Sequence, residues 1–490
     1  MSQQAQEVYR HYIGGEWTDG DGEETFESEN PATGETLGTF RRATETDVER
    51  AVTEAEEAAH EWRSMSYVDR AEVLWDVYHE LRDRTDELGE VVTKECGKEI
   101  SEGRADVVEA YHMVEWAAGN ARHPHGDVVP SEIASKDAYM RRQPRGVVGC
   151  ITPWNFPVAI PPDGVFNMVQ GFGDAGNAIV EDDRVDTVLF TGSAEVGHSI
   201  ADKLGGKPGR EVSLEMGGKN AIVVTEEADM DIAIHSAVMS SFKTTGQRCV
   251  SSERLIVHED LYDEFKQRFV ELAEQVAVGD PLEEDTFMGP VIDESQVEKF
   301  HKYNDLARTE GANVLVDRAE LDDEEIPDGH EDGAATAASP ERSGSYADGH
   351  WVGPFVYEVD YDPDLRCIHE EVFGPHVALI EYSGDIEDAM EIHNDVQYGL
   401  AGAIISEDYR QINHYRDHRK AGLAYANLPC IGAEVQLPFG GVGKSGKGAP
   451  SAREAIEAVT ERTAWTLNNS KDIEMAQGLS AEIKTESGDD

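Results

Sequence analysis

"VDTVLFTGSAEVGHSIADKL", residues 185–204, decides how the chain folds. Residues 185–190 are a short apolar run of strand length, Thr191-Gly192-Ser193 is a turn, and Ala194–Leu204 reads as a helix. A strand that turns directly into a helix is the repeating piece of a mostly parallel sheet with helices on its faces. Downstream, strand-like runs at 212–214, 221–224 and 255–257 are separated by helical segments such as 229–244. Upstream, Thr46-Asp47-Val48-Glu49 has the form of a capping box, and Val48, Ala51, Val52, Ala55, Ala59 and Trp62 follow on one helical face. Residues 67–89 and 104–118 read as two more helices, so the expected class is α/β.

With 490 residues the chain has room for two to four structural units with sizeable cores. Its 99 acidic residues outnumber 42 basic ones, giving a net charge of -57 spread along the whole length. That excess argues against a nucleic-acid partner, which needs basic stripes, and matches a halophilic surface whose self-repulsion is screened by salt. No apolar run approaches the ~18 residues of a membrane span, and the opening MSQQAQEVYRHY lacks the regions of a signal peptide. Five widely spaced cysteines make no disulfide framework, so the expectation is a cytoplasmic protein without membrane association. Residues 317–348 are acidic and small with no core-forming period, an expected solvated insertion, and 481–490 read as a flexible acidic tail.

The chemistry starts at Gly246-Gln247-Arg248-Cys249. A lone cysteine is more often a small buried hydrophobe than a nucleophile, but this one has company. Leu214-Glu215-Met216-Gly217-Gly218-Lys219 lies upstream, its glutamate thirty-four residues before the cysteine. Ile151-Thr152-Pro153-Trp154-Asn155-Phe156-Pro157 precedes both; Glu370-Glu371-Val372-Phe373-Gly374-Pro375 and Pro438-Phe439-Gly440-Gly441-Val442-Gly443-Lys444-Ser445-Gly446 follow. Five motifs in this order resemble the aldehyde dehydrogenase superfamily, and the likeness runs from Tyr12-Ile13-Gly14-Gly15-Glu16-Trp17 and Asn30-Pro31-Ala32-Thr33-Gly34 to about residue 480.

The resemblance implies a doubly wound, Rossmann-like cofactor domain (1–125 and 146–217), an α/β catalytic domain (218–441, carrying the acidic insertion) and an oligomerisation element (126–145 and 442–480). It implies oxidation of an aldehyde to a carboxylic acid with NAD or NADP, no metal, and a homodimer or homotetramer. Cys249 would attack the carbonyl carbon as thiolate, Asn155 and the Cys249 N–H would hold the oxyanion, and Glu215 would activate water to hydrolyse the thioester. Glu371 would hold the nicotinamide ribose with Phe373 beside it. Gly192 and Ser193 would meet the pyrophosphate, Gly197 would allow close packing, and Gly217 belongs to the same cofactor set. Trp154 reads as readily as core as it does as cofactor wall.

Asn469-Ser470-Lys471-Asp472, Ala476-Gln477-Gly478 and Gly432-Ala433-Glu434 resemble the semialdehyde-type members, especially the aminoadipic semialdehyde group. That likeness makes Arg248, Gly432 and Ala433 the expected substrate contacts, with Arg248 either meeting a distal carboxylate or pairing with one of the chain's own acids.

"NFPVAIPPDGVFNMVQGF", residues 155–172, departs from the family. There a helix, a buried strand ending in Lys-Pro-Ser/Ala-Glu and another helix should separate the Trp-Asn-Phe-Pro motif from a strand resembling residues 165–169. About forty residues are missing between Ile160 and Pro162, more than one ~30-residue βαβ unit. A strand of the cofactor sheet and the lysine that reaches the adenosine ribose go with them. The alternative function is therefore a non-catalytic oligomeric homologue that cannot bind the dinucleotide.

Overall fold

The structure, a computed structural model, describes residues 8–157, 166–321, 346–448 and 451–479. Helix α1 (Glu45–Ser64) starts on Thr44, not on the expected Thr46, because the Thr44 hydroxyl accepts from the Asp47 N–H while the Asp47 carboxylate accepts from the Thr44 N–H at 2.9 Å. The single helix expected over 67–89 is two, α2 (Tyr67–Asp83) and α3 (Thr85–Cys96). Thr85 turns its hydroxyl back onto the Arg82 carbonyl at 2.8 Å, satisfying the end of α2 locally. Helix α4 (Ile100–Gly119) begins earlier than expected, capped by the Glu99 carboxylate on the Ser101 N–H at 2.8 Å.

Strands β1 (Val147–Ile151), β2 (Val185–Gly192) and β3 (Glu211–Met216) form a parallel sheet in the order β1-β2-β3, and Gly446–Lys447 pairs antiparallel on the far side of β3. Helices α5 (Gly173–Glu181) and α6 (Ala194–Leu204) belong to this layer, and α6 has the bounds expected from its sequence. Gly197 lets α6 sit on β3, since a Cβ there would lie 2.4 Å from the Met216 sulfur. The core includes Val48, Val180, Val188, Phe190, Ile200 and Leu214.

Among the described residues β1 pairs only with β2. The expected strand at 165–169 does not join this sheet within its described part. Met168 instead exchanges both backbone hydrogen bonds with Tyr12 (2.9 and 2.7 Å), and Asn167 accepts from the Gly14 N–H at 2.8 Å, so the N-terminal hairpin captures the segment. The junction at 160–162 lies outside the described residues.

Continuous apolar runs such as Ala221-Ile222-Val223-Val224 have no polar face and need cover on both sides. They find it in a seven-stranded sheet of β4 (Asn220–Val224), β5 (Ser252–His258), β6 (Asn313–Asp317), β7 (Phe355–Glu358), β8 (His376–Tyr382), β9 (Ala401–Ile405) and β10 (Leu423–Ala426). The order is β6-β7-β8-β5-β4-β9-β10, parallel except for β6 against β7. One core, with Phe242, Phe265 and Phe269, covers one face; a second, with Phe300, Phe355 and Tyr357, covers the other. The expected insertion does not start at 317: Asp317 closes β6, Ala319 is buried, and Arg318 donates to the Val276 carbonyl at 2.9 Å. At its far end Tyr346 packs on Trp351, and 322–345 lie outside the described residues, as does the acidic tail.

A third sheet joins Val128–Val129, Lys136–Pro144 and Thr460–Asn468, with Tyr139 stacked on Trp465 at 6.2 Å. Among the described residues no helix is long and apolar enough to cross a membrane.

Candidate active site

Helix α7 (Met230–Phe242) runs into a tight turn, Lys243–Gly246, that delivers Cys249. Thr244 and Thr245 both hold positive φ (54° and 55°), followed by Gly246 at 70°. Left-handed backbone costs a branched residue ~1–2 kcal/mol each, so something must hold the turn. Glu102 of α4 does: its carboxylate accepts from the Thr244 N–H (3.0 Å), the Thr244 hydroxyl (2.6 Å) and the Arg248 guanidinium (2.6 Å). Gly246 is required for a second reason, since a Cβ there would lie 2.3 Å from the Gly374 carbonyl oxygen.

Arg248 is thus committed to Glu102 and to the Thr244 hydroxyl at 2.7 Å. In this geometry it braces the turn before Cys249 by pairing with one of the chain's own acids. Beside it Lys98 pairs with Asp106, both buried, and both cations stand over the Phe156 ring, at 3.9 Å for Lys98 and 5.5 Å for Arg248.

Cys249 is partly buried, and its carbonyl accepts from the Asn220 amide at 2.7 Å. Burial, with the Glu215 and Glu371 charges adding to it, pushes the thiol up to about 12. Asn155, buried after β1, donates one amide N–H to the Gln247 carbonyl at 3.0 Å and keeps a second donor. Glu215 sits on β3 opposite Thr191 of β2 and Gly446 of the antiparallel strand. It is 3% exposed, no cation pairs with it among the described residues, and burial raises its pKa to about 9, although the Gly441 backbone N–H favours its charged form. A carboxyl kept buried without a counter-charge costs stability, which is the mark of a group held for chemistry.

Glu371 accepts from the Gly218 N–H at 2.8 Å, and burial raises it to about 7. It lies so close to Gly217 that a Cβ there would meet both carboxylate oxygens at 2.0 Å. Phe373, at φ 65°, touches Trp154 edge-on at 5.9 Å, so the tryptophan lines the same wall. Gly192 ends β2, and the Ser193 hydroxyl caps α6 through the Val196 N–H at 3.3 Å. The Gly432 carbonyl accepts from the Tyr425 hydroxyl at 2.8 Å, which ties the Gly432-Ala433 loop to β10.

Sequence reasoning missed Glu102, Asn220, Lys219 and Glu253, which hold the loops in place. Lys219 and Asn220 were visible as the polar end of a glycine pair entering an apolar strand; the two glutamates gave no signal in so acidic a chain.

The sequence pattern of the Aldehyde dehydrogenase family matches residues 17–161, 159–329 and 322–465. The chain belongs to the aldehyde dehydrogenase family. It is an oxidoreductase with the aldehyde dehydrogenase fold. It is 32% identical to the alpha-ketoglutaric semialdehyde dehydrogenase of Bacillus subtilis (strain 168) over 494 positions, covering 92% of this chain and 96% of that one. It is 32% identical to the alpha-ketoglutarate semialdehyde dehydrogenase of Haloferax volcanii over 476 positions, covering 89% and 94%. Among solved structures, an NAD-dependent aldehyde dehydrogenase from Sinorhizobium meliloti superposes with a TM-score of 0.86 at 28% identity, covering 97% of this chain and 98% of that one. A betaine aldehyde dehydrogenase from Staphylococcus aureus in complex with NAD+ gives 0.85 at 26% identity, covering 96% of each chain.

Proposed function

We propose that the protein oxidises a semialdehyde to a dicarboxylic acid with NAD(P)+, through a thioester on Cys249. The observation that carries this reading is the Glu215 carboxyl, buried without a counter-charge beside a thiol that its charge would influence. The Cys249 thiol gives its proton to water, its sulfur bonds to the carbonyl carbon, and the carbonyl oxygen takes the negative charge, met by the free Asn155 N–H and the Cys249 backbone N–H. A nicotinamide held by Glu371, Phe373 and Trp154 would supply the acceptor for the hydride of the former aldehyde carbon, the carbonyl re-forming as a thioester. Glu215, once ionised, takes a proton from water, whose oxygen attacks the thioester; the C–S bond breaks, and the proton on Glu215 passes to the sulfur, releasing the acid and restoring the thiol.

The residues present fit a nicotinamide cofactor. Gly217 leaves room at the Glu371 carboxylate, Phe373 and Trp154 form an apolar wall, and the capped N-terminus of α6 suits a pyrophosphate. The cofactor sheet is nevertheless short. The alignment with the Bacillus relative is longer than the whole 490-residue chain, so it contains positions only the relative fills; the family pattern breaks at 159–161, and among the described residues β1 pairs only with β2. We read this as an internal deletion that weakens cofactor binding.

A semialdehyde is favoured by the two relatives' activities and by the Gly432-Ala433 loop, whose N–H groups have no partner among the described residues and can meet a distal carboxylate. Exposed apolar residues around the third sheet, Val128, Trp465, Leu467 and Ile473, support a homo-oligomer, and the whole reading is of a cytoplasmic enzyme. The test is pre-steady-state NAD(P)H formation. Cys249→Ser should abolish it, while Glu215→Gln should retain a first turnover and then stall. Undiminished steady turnover by the Cys249 variant sinks the mechanism.

A further inference from the structure

The turn from Glu371 to Gly374 carries two groups of the proposed cofactor wall, yet the hydrogen bonds that fix its middle come from outside it. The consecutive N–H groups of Val372 and Phe373 converge on one carboxylate, Glu253 of β5: Val372 donates at 3.0 and 3.1 Å, Phe373 at 2.9 Å. Successive backbone N–H groups aimed at one point form an anion site, and here a side chain fills it. From the other side Gln296, on the helix Glu294–Thr309, gives its amide hydrogens to the Val372 carbonyl (3.0 Å) and the Phe373 carbonyl (2.8 Å). The N–H and C=O of two successive residues are thereby held by side chains.

Glu253 is 3% exposed, and its charge is met by the fully buried Lys219 ammonium at 2.5 Å. Burying an ion pair gives little net stability, so the arrangement calls for another use. Phe373 supplies one: its positive φ is unfavourable for an aromatic residue and persists only where the surroundings over-determine it. Lys219 also follows Gly218, whose N–H meets Glu371, so the pair links the loop between β3 and β4 to β5.

We propose that Glu253, fixed by Lys219 and opposed by Gln296, is a positioning residue that sets the 371–374 turn and with it the cofactor contacts of Glu371 and Phe373. This rests on the oxidation reading above. In Glu253→Gln an amide replaces the carboxylate before two N–H donors and an ammonium, leaving at least one of them unmet. NAD+ affinity, followed by quenching of tryptophan fluorescence, should fall about tenfold, what one such lost bond is worth. Hydrogen exchange at the Val372 and Phe373 amides should quicken. Alkylation of Cys249 by iodoacetamide without cofactor should keep its wild-type rate, which a general loosening would not allow. Gln296→Leu, which strands no charge, should shift affinity in the same direction and decides the matter if Glu253→Gln fails to fold. Fast exchange with unchanged NAD+ affinity in a folded variant overturns this inference alone, as does wild-type exchange. Binding of neither NAD+ nor NADP+ by the wild type removes the oxidation reading and this inference with it; if only NADP+ binds, the same comparisons are made with NADP+.

Discussion

Replacing Glu215 by Gln should stabilise the protein, and by an amount that depends on pH. The carboxyl is buried with no counter-charge among the described residues, and burial, opposed by the Gly441 backbone N–H, lifts its pKa from 4.5 to about 9. A folded-state pKa above the unfolded one means that the native state keeps a proton the unfolded state releases. Stability from this group is therefore fully present below about pH 4.5 and drains away as pH rises to about 9. The largest slope is ~1.4 kcal/mol per pH unit, so between pH 6 and 8 the wild type should lose up to about 3 kcal/mol relative to a glutamine that does not titrate. Other titrating groups, Glu371 included, are common to both proteins and largely cancel in the difference. Urea unfolding of the two proteins at pH 6, 7 and 8, at fixed protein concentration in molar KCl, measures it. Parallel pH dependences would refute the reasoning, because they would mean that Glu215 is solvated or paired. The same ionisation predicts that wild-type thioester hydrolysis accelerates as pH rises towards 9.

Arg248→Met should strand the buried Glu102 carboxylate, costing ~3 kcal/mol, and lower kcat/KM equally for charged and uncharged aldehydes; loss confined to semialdehydes in steady-state assays would restore a direct substrate role. The acidic surface should repel itself where the screening length reaches ~30 Å, at 0.01 M salt, so the melting temperature should climb between dilute buffer and molar KCl. A flat response would remove the halophilic reading. Peptide mapping of the protein purified from its source should yield a peptide that runs straight from Ile160 through Pro161 to Pro162, and extra residues at that junction would show that no deletion exists.

The architecture was readable wherever one segment carried its own signal. The run from Val185 into α6 announced strand, turn and helix through period and punctuation, and the structure keeps them. Cap positions were less legible: Thr44 and Thr46 are equally good N-cap types, and only the reach of Asp47 back to Thr44 separates them. Segments whose partners are distant in sequence were not legible at all. Val169 and its neighbours look like a sheet strand, but their backbone is taken by residues near Tyr12, a competition that local pattern cannot rank. At the site, motifs named the groups that can react, while Glu102 and Glu253 are ordinary acids until three-dimensional structure shows what they grip.

The buried pairs Lys98–Asp106, Lys219–Glu253 and Arg248–Glu102 place scarce cations inside a molecule whose outside is overwhelmingly anionic. Mobile ions neutralise charge only where they can approach, and none of these side chains is more than 14% exposed. Salt in the medium therefore cannot reach the contacts that hold the turn before Cys249 and the turn from Glu371 to Gly374. Surface and interior answer to separate electrostatic reservoirs, one shared with the medium and one sealed, so surface charge can change without disturbing the geometry around the thiol.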